Sequence, residues 1–170
     1  LISQRYNTTV ASLVSLNNIT NPDAIEAGQV IKVSGDGAST PVTSPGPSYS
    51  ASELDLFARL VSSEASWEPF QGQVAVAASV LNRVASSTYP NTISGVINQV
   101  VGSSYQYSPV LDGRINLPAS ESARKAVQEA INGSDPSLGA TGFYNPRKTS
   151  NQWVRSQPVT TTIGNHVFFK

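Results

Sequence analysis

The sequence predicts an α+β chain that is predominantly helical and closes on a small β element. Three observations carry this reading. Apolar residues recur at three- and four-residue spacing through about residue 132, as they do on one buried helical face. Two β-prone runs follow, GFYN (142–145) and HVFFK (166–170), and are expected to pair as a two-stranded ribbon. Residues 34–52, SGDGASTPVTSPGPSYSAS, have a composition that buries no core and behaves as a linker. The chain is thus expected to divide into a short module (1–33), a linker (34–52) and a larger domain (53–170).

In the short module, Ile2, Tyr6, Val10, Leu13 and Leu16 suggest one short helix and then a second. Asn21-Pro22-Asp23 reads as a turn with Asp23 a candidate cap, and Gly28 precedes a strand-like QVIKV. In the larger domain, Leu54, Phe57, Leu60 and Val61 mark the face of a first helix, with Glu53 and Asp55 favouring its N-terminus. Val74, Ala77, Ala78, Leu81, Val84 and Ala85 mark one face of a second, and residues 92–101 a shorter one. Pro118 and Ser120 open ESARKAVQEAIN, with Ala123, Val127, Ala130 and Ile131 inward and Gly133 as terminator.

Composition excludes several function classes. Of 170 residues, 39% are hydrophobic, enough for a core, and only 13% are charged. The 11 Lys and Arg balance 11 Asp and Glu, which argues against non-specific binding to nucleic acid or anionic membrane. A neutral polymer such as a glycan suits the wealth of Asn, Gln, Ser and Thr beside Tyr and Trp. Without cysteine there is no disulfide framework, thiolate metal site or cysteine nucleophile. One histidine is too few for a zinc centre, so no metal or cofactor is expected. There is no G-x-S-x-G elbow, phosphate-cradling glycine loop or membrane-spanning apolar run. The opening LISQRYNTTV lacks the basic flank and apolar core of a secretion signal; a trimmed exported chain and a cytosolic one both read this way.

What remains is carboxylate chemistry, and one carboxylate breaks a pattern. The stripe Phe57, Leu60, Val61 arrives next at Glu64, where the spacing asks for another Leu. Burying an ionised carboxylate is costly, so this acid either escapes to solvent at a helix end or is a functional acid in a cleft. Spacing alone leaves both open. Glu64 has no obvious basic partner at helical spacing, as a neutral, proton-donating Glu requires. Of the other acids in the larger domain, Glu121 favours a helix N-terminus and Glu129 lies on a polar face. Asp112-Gly113 and Asp135-Pro136 read as turns, leaving Glu68, in the loop before Pro69, as the serious alternative acid.

The larger domain carries, in order, the motifs ARLVSSEASWEPFQGQVAVAASVLNRV, YPNTISGVI, YQYSPVLDGRI, ARKAVQEAINGSDP, FYNP and RSQPVTTTIGNHVFF. Through these it resembles, over nearly its full length, the catalytic domain of the spore cortex-lytic cell-wall hydrolases. The resemblance implies a fold similar to lysozyme and the soluble lytic transglycosylases, and cleavage between N-acetylmuramic acid and N-acetylglucosamine in peptidoglycan. Its catalytic Glu corresponds to SSEAS, hence Glu64. With no convincing second carboxylate, the expected route is that of a lytic transglycosylase with 1,6-anhydromuramic products. A hydrolytic muramidase helped by Glu68 or Asp112 and an idle wall-binding protein are the alternatives. Tyr144 and Asn145 of FYNP are expected to meet the sugar cation or N-acetyl group, and Gln106, Tyr107 and Ser108 to line the groove. Trp153 and Arg155 are candidates for a sugar face and a muramyl carboxylate. His166 reads either as a core histidine or as a hydrogen-bonding group in the cleft, while Asn82 and Arg83 tie their helix to its neighbours.

The short module resembles a partial LysM domain, a βααβ unit binding N-acetylglucosamine polymers, through RYNTTVASLVSLN, NPDAI and AGQVIKV; the opening strand is not in this sequence. Together the resemblances imply peptidoglycan glycan strands as partner and an extracytoplasmic location at the cell wall or spore envelope.

Overall fold

A computed structural model describes residues 9–17, 19, 21, 24, 25, 29–32 and 49–170, and the chain divides into two units, Leu1–Pro47 and Ser48–Lys170. In the first unit, helix α1 (Val10–Asn17) buries Leu13. Its last residue, Asn17, donates from its side-chain amide to the Lys32 carbonyl at 2.9 Å and accepts the Lys32 N–H at 2.7 Å. Both main-chain groups of Lys32 are thereby taken by a side chain, and residues 29–32 form no strand, contrary to the expectation for QVIKV. Residues 1–8, the Pro22-Asp23 half of the turn, Gly28 and most of the linker lie outside the described residues.

In the second unit, α2 (Ala51–Ala65) begins at a capping box. The Ser50 hydroxyl accepts the Glu53 N–H, and the Glu53 carboxylate accepts the Ser50 N–H, each at 3.2 Å. Phe57, Leu60 and Val61 are fully buried, each contributing about 1.5–3 kcal/mol of transfer free energy. Helix α3 (Phe70–Ala85) enters behind Pro69 and runs through the centre of the unit. Every residue from Gly72 to Val80 is buried, so the single face expected from periodicity is too narrow, and Ala85, read as inward, is exposed. The physical reason is size: Ala75, Ala77, Ala78 and Ser79 let neighbours close in on all sides.

Helix α4 (Ile93–Ile97), capped by Thr92, buries Ile93, Val96 and Ile97. The expected helix over 92–101 stops there. Val100–Val101 (β1) and Ser104–Tyr105 (β2) pair instead as a small hairpin, the β-branched pair turning at Gly102 with φ +64°. A short helix α5 (Ser108–Asp112) and a 3₁₀ turn (Arg114–Asn116) lead to α6 (Glu121–Ile131). Ser120 caps α6, Ala123, Ala126, Val127 and Ala130 face the core, and the chain leaves the helix at Gly133 with φ +99°. Helices α2, α3 and α6 all pack on one another.

The final third forms a three-stranded antiparallel sheet in the order β3 (Gly142–Tyr144), β5 (His166–Phe169), β4 (Val159–Ile163), with α7 (Gln152–Arg155) between β3 and β4 in sequence. The expected pairing is present, Phe143 lying opposite Phe168. The expectation of a two-stranded ribbon is corrected by β4, whose β-branched VTTTI run pairs with the other edge of β5. The β4–β5 turn is tight: Gly164 has φ +59°, and a Cβ there would run into the Glu68 carboxylate and Pro69. Among the described residues no helix is long and apolar enough to cross a membrane.

Candidate functional site

Glu64 is the penultimate residue of α2, half-buried where the apolar stripe of that helix runs out. It borders three contiguous depressions of about 280, 320 and 440 Å³. The first is central, sharing Ser63, Arg114 and Lys148 with the second, and Ser108 and Phe143 with the third. The two outer depressions have only Glu64 in common. Together they make a cleft with this carboxyl at its middle. Burial pushes the Glu64 carboxyl from 4.5 up to about 7; Arg114 opposes the rise, Asp112 adds to it and Lys148 opposes it.

Arg114 and Lys148 are cations that helical spacing does not reveal. Arg114 grips Asp112 through Nε at 2.9 Å and Nη2 at 2.8 Å, and donates from Nη2 to the Ser108 hydroxyl at 3.2 Å. Its Nη1 donates to the Ser63 carbonyl at 3.0 Å, while the Ser63 hydroxyl donates to the Arg114 carbonyl at 3.1 Å. The 3₁₀ turn is thereby stapled to the end of α2, which fixes the residue preceding Glu64.

The other expected residues fall into distinct places. Tyr144, Asn145, Ser108 and His166 line the central depression with Glu64. Gln106, Tyr107, Ser108 and Trp153 line the largest, so the structure brings all of these to one cleft. Arg155 is different. It donates to the carbonyls of Pro146 and, at 2.9 Å, Thr149, holding the loop that follows Asn145, and it borders none of the three depressions. In that loop Asn145 accepts the Arg147 N–H on its side chain at 2.9 Å and the Lys148 N–H on its carbonyl at 3.0 Å, which turns Lys148 back toward the cleft.

Tyr107 is buried, its ring 5.4 Å beneath the guanidinium of Arg83, which also covers Tyr89 at 4.9 Å. Arg83 further donates to the Thr141 carbonyl and to Gln106 at 3.4 Å, and Asn82 donates to Asp135 at 3.1 Å and to the Ala140 carbonyl at 3.0 Å. The end of α3 thus carries one wall of the cleft. Burial pushes the Tyr107 phenol up to about 12, with the Arg83 charge opposing and Glu64 adding. His166 opens β5 and packs 5.0 Å from Phe143; burial lowers its pKa, against the pull of Glu68, so the imidazole is neutral near pH 7. The Tyr107 hydroxyl and His166 Nδ1 are buried without a hydrogen-bond partner among the described residues.

Glu68, the alternative acid, turns away from the cleft. Its carboxylate accepts the Asn165 N–H at 2.7 Å and the Asn165 amide at 3.2 Å, clamping the β4–β5 turn. Asp112 is engaged by Arg114, whose hydrogen bonds hold it below the usual carboxylate range. Asp55 pairs with Arg59 at 3.0 Å and Arg124 at 2.8 Å, Glu121 with Lys125 at 2.7 Å, Glu53 with its cap, and Asp135 with the turn it precedes. Among the described residues, Glu64 is the one carboxylate that lines the cleft.

The family described as Cell Wall Hydrolase matches residues 67–169, beginning just after Glu64, and the LysM domain family matches residues 1–34. The spore cortex-lytic enzyme of Halalkalibacterium halodurans is 44% identical over 120 residues, 71% of this chain and 35% of that protein. That of Bacillus cereus is 43% identical over 122 residues, 72% of this chain and 46% of that protein. The chain therefore spans less than half the length of these relatives. Among solved structures, the catalytic domain of the germination-specific lytic transglycosylase SleB from Bacillus anthracis has a TM-score of 0.66 at 43% identity, covering 72% of this chain and 97% of that one. The catalytic domain of the Bacillus cereus SleB protein has a TM-score of 0.66 at 41% identity, covering 80% and 100%.

Proposed function

The chain belongs to the cell wall hydrolase family, and from that premise we propose that residues 53–170 cleave peptidoglycan as a lytic transglycosylase. The bond cut is that between N-acetylmuramic acid and N-acetylglucosamine. The observation that carries this reading is the solitary cleft carboxyl, since the usual hydrolytic routes use a second carboxylate as nucleophile or base. The activity named for the Bacillus anthracis relative supports it.

Glu64, raised to about 7, holds a proton over much of the neutral range and donates it to the bridging glycosidic oxygen. The C1–oxygen bond breaks, the leaving sugar departs as an alcohol, and positive charge develops on the muramyl ring. Glu64, now a carboxylate, removes the proton from the C6 hydroxyl of that ring. O6 bonds to C1, closing a 1,6-anhydro ring and returning Glu64 to its acid form with no water consumed. The C6 hydroxyl is tethered to the reacting sugar, so its attack is intramolecular.

Tyr144 and Asn145 face the reacting ring across the central depression, and Gln106, Ser108 and Trp153 extend contact along the strand. Tyr107 and His166 back the cleft from beneath its surface, their hydroxyl and Nδ1 buried among the groups that line it. Arg155 serves by holding the Pro146–Thr149 loop rather than by touching the substrate. Residues 1–33 act as a LysM-type glycan-holding module joined through residues 34–52, and the action is extracytoplasmic, at the wall or spore envelope.

Mass spectrometry of digested, purified peptidoglycan tests the reading. The expected products end in 1,6-anhydromuramic acid and lack the water a lysozyme adds. Dominant reducing-end muramic acid would replace this route with a hydrolytic muramidase, and intact peptidoglycan would leave a wall-binding protein.

A further inference from the structure

Trp67 is 95% exposed, and no other aromatic ring packs on it among the described residues. An indole in water contributes nothing to a core, so its position calls for another account. It lies in the α2–α3 connection, whose backbone is well fixed. The Glu68 N–H donates to the Ala65 carbonyl at 3.0 Å, the Gln73 side chain donates to the Glu68 carbonyl at 3.2 Å, and the Glu68 carboxylate is clamped to Asn165. A rigid main chain thus presents a free side chain.

The site it borders is the 320 Å³ depression, where Trp67, Leu117 and Pro118 face Ser62, Ser63 and Lys148. Leu117 is itself 60% exposed. This mixture of one flat aromatic, a small apolar rim and polar groups matches a pyranose, which has an apolar C–H face and a hydroxyl edge. It suits a lipid surface poorly, because a lysine and hydroxyl groups share the depression. Continuity decides the occupant. This depression joins the cleft at Glu64, on the side away from the depression that holds Trp153.

We propose that Trp67, with Leu117 and Pro118, forms a sugar-stacking subsite at the end of the cleft opposite Trp153, occupied by a further residue of the same glycan strand. The inference rests on the glycan-cleaving reading above. It makes the cleft two-ended, with an exposed indole gripping the strand on either side of Glu64.

The chain has only two tryptophans, so each can be made the sole fluorescent indole. In a Glu64→Gln background, Trp153→Phe leaves Trp67 as reporter and Trp67→Phe leaves Trp153. The probe is a peptide-free hexasaccharide of alternating N-acetylglucosamine and N-acetylmuramic acid. Expected are a blue shift and intensity change of Trp67 emission on adding the probe. In the active enzyme, Trp67→Ala should raise KM for glycan strands roughly tenfold, as loss of one stacked face implies, with kcat little changed. Its melting temperature should equal the parent's, because the side chain is almost wholly exposed. Unaltered Trp67 emission, or an unchanged KM in Trp67→Ala, would overturn the subsite while the parent still cleaves peptidoglycan. If the parent releases no glycan products and neither indole responds, the glycan-cleaving reading itself fails, and the subsite with it.

Discussion

Replacing Glu64 by Gln keeps the shape of the side chain and removes its proton, which separates chemistry from fold. In the folded protein the carboxyl is lifted from 4.5 to about 7, chiefly by burial. Unfolding returns it to its ordinary value, so the unfolded chain releases this proton first as pH rises. The parent therefore loses stability from about pH 4.5 through about pH 7, and below that window the group has no effect. The full shift corresponds to about 3 kcal/mol, and the open side of the cleft screens it to on the order of 2 kcal/mol. Gln carries no such loss. The melting temperature of Glu64→Gln should match the parent's near pH 4 and exceed it by roughly 5–10 °C near pH 8. Turnover of purified peptidoglycan should fall by about 10³-fold or more, since one acid–base group commonly contributes about 10² to 10⁴ and here one group serves both steps. Calorimetry across the pH range and product release from the same preparations measure the two effects. A melting difference that does not change between about pH 4 and pH 8 would refute the raised carboxyl. Turnover within about tenfold of the parent would refute its role.

Activity of the parent should decline as pH rises through about 7, where Glu64 loses its proton, and Asp112→Asn should move that decline to lower pH by removing a negative charge that raises Glu64. An upward move of the alkaline limb of kcat/KM would contradict the coupling. Glu68→Gln should keep turnover within about tenfold of the parent while lowering stability by about 1–2 kcal/mol in denaturant melts, because it weakens the clamp on Asn165. A loss of turnover matching that of Glu64→Gln would make Glu68 a participant. Gly164→Ala should cost about 2 kcal/mol or more, being strained at φ +59° and driven against Glu68 and Pro69; a melting curve identical to the parent's would rule this out.

The helical part of the fold was legible because its signals are local. Glu53 stands in the first turn of α2, where an acid favours the N-terminus, and Phe57, Leu60 and Val61 repeat at the period of one face. Sequence and structure part where local signals are short or where size rather than period decides. Val100-Val101 continued an apolar run without continuing a helix, and five β-branched-rich residues of β4 lacked the strict alternation that marks a half-buried strand. The all-round burial of α3 follows from what packs on it, which no window of its own sequence contains.

The candidate site divides along the same line. Glu64 was legible because it breaks a pattern that its own helix sets, and a broken local rule is visible from within a few residues. Arg114 was not, because its relation to Ser63 spans 51 residues and comes from a turn without periodicity. Trp67 was missed because apolar character in a sequence carries no mark of exposure; only the fold leaves that indole in water. Glu68 shows the converse, since nearness to Glu64 in sequence is not nearness in the cleft. Helix α2 ends at Ala65 and α3 is entered through Pro69, so the connection turns the Glu68 carboxylate toward Asn165, 97 residues further along the chain. A carboxylate held there by two hydrogen bonds fixes the turn beside β5, the strand that begins with His166. Glu68 therefore bears on the cleft through the placement of His166, and the acid inside the cleft is left, among the described residues, without a carboxylate neighbour on its walls.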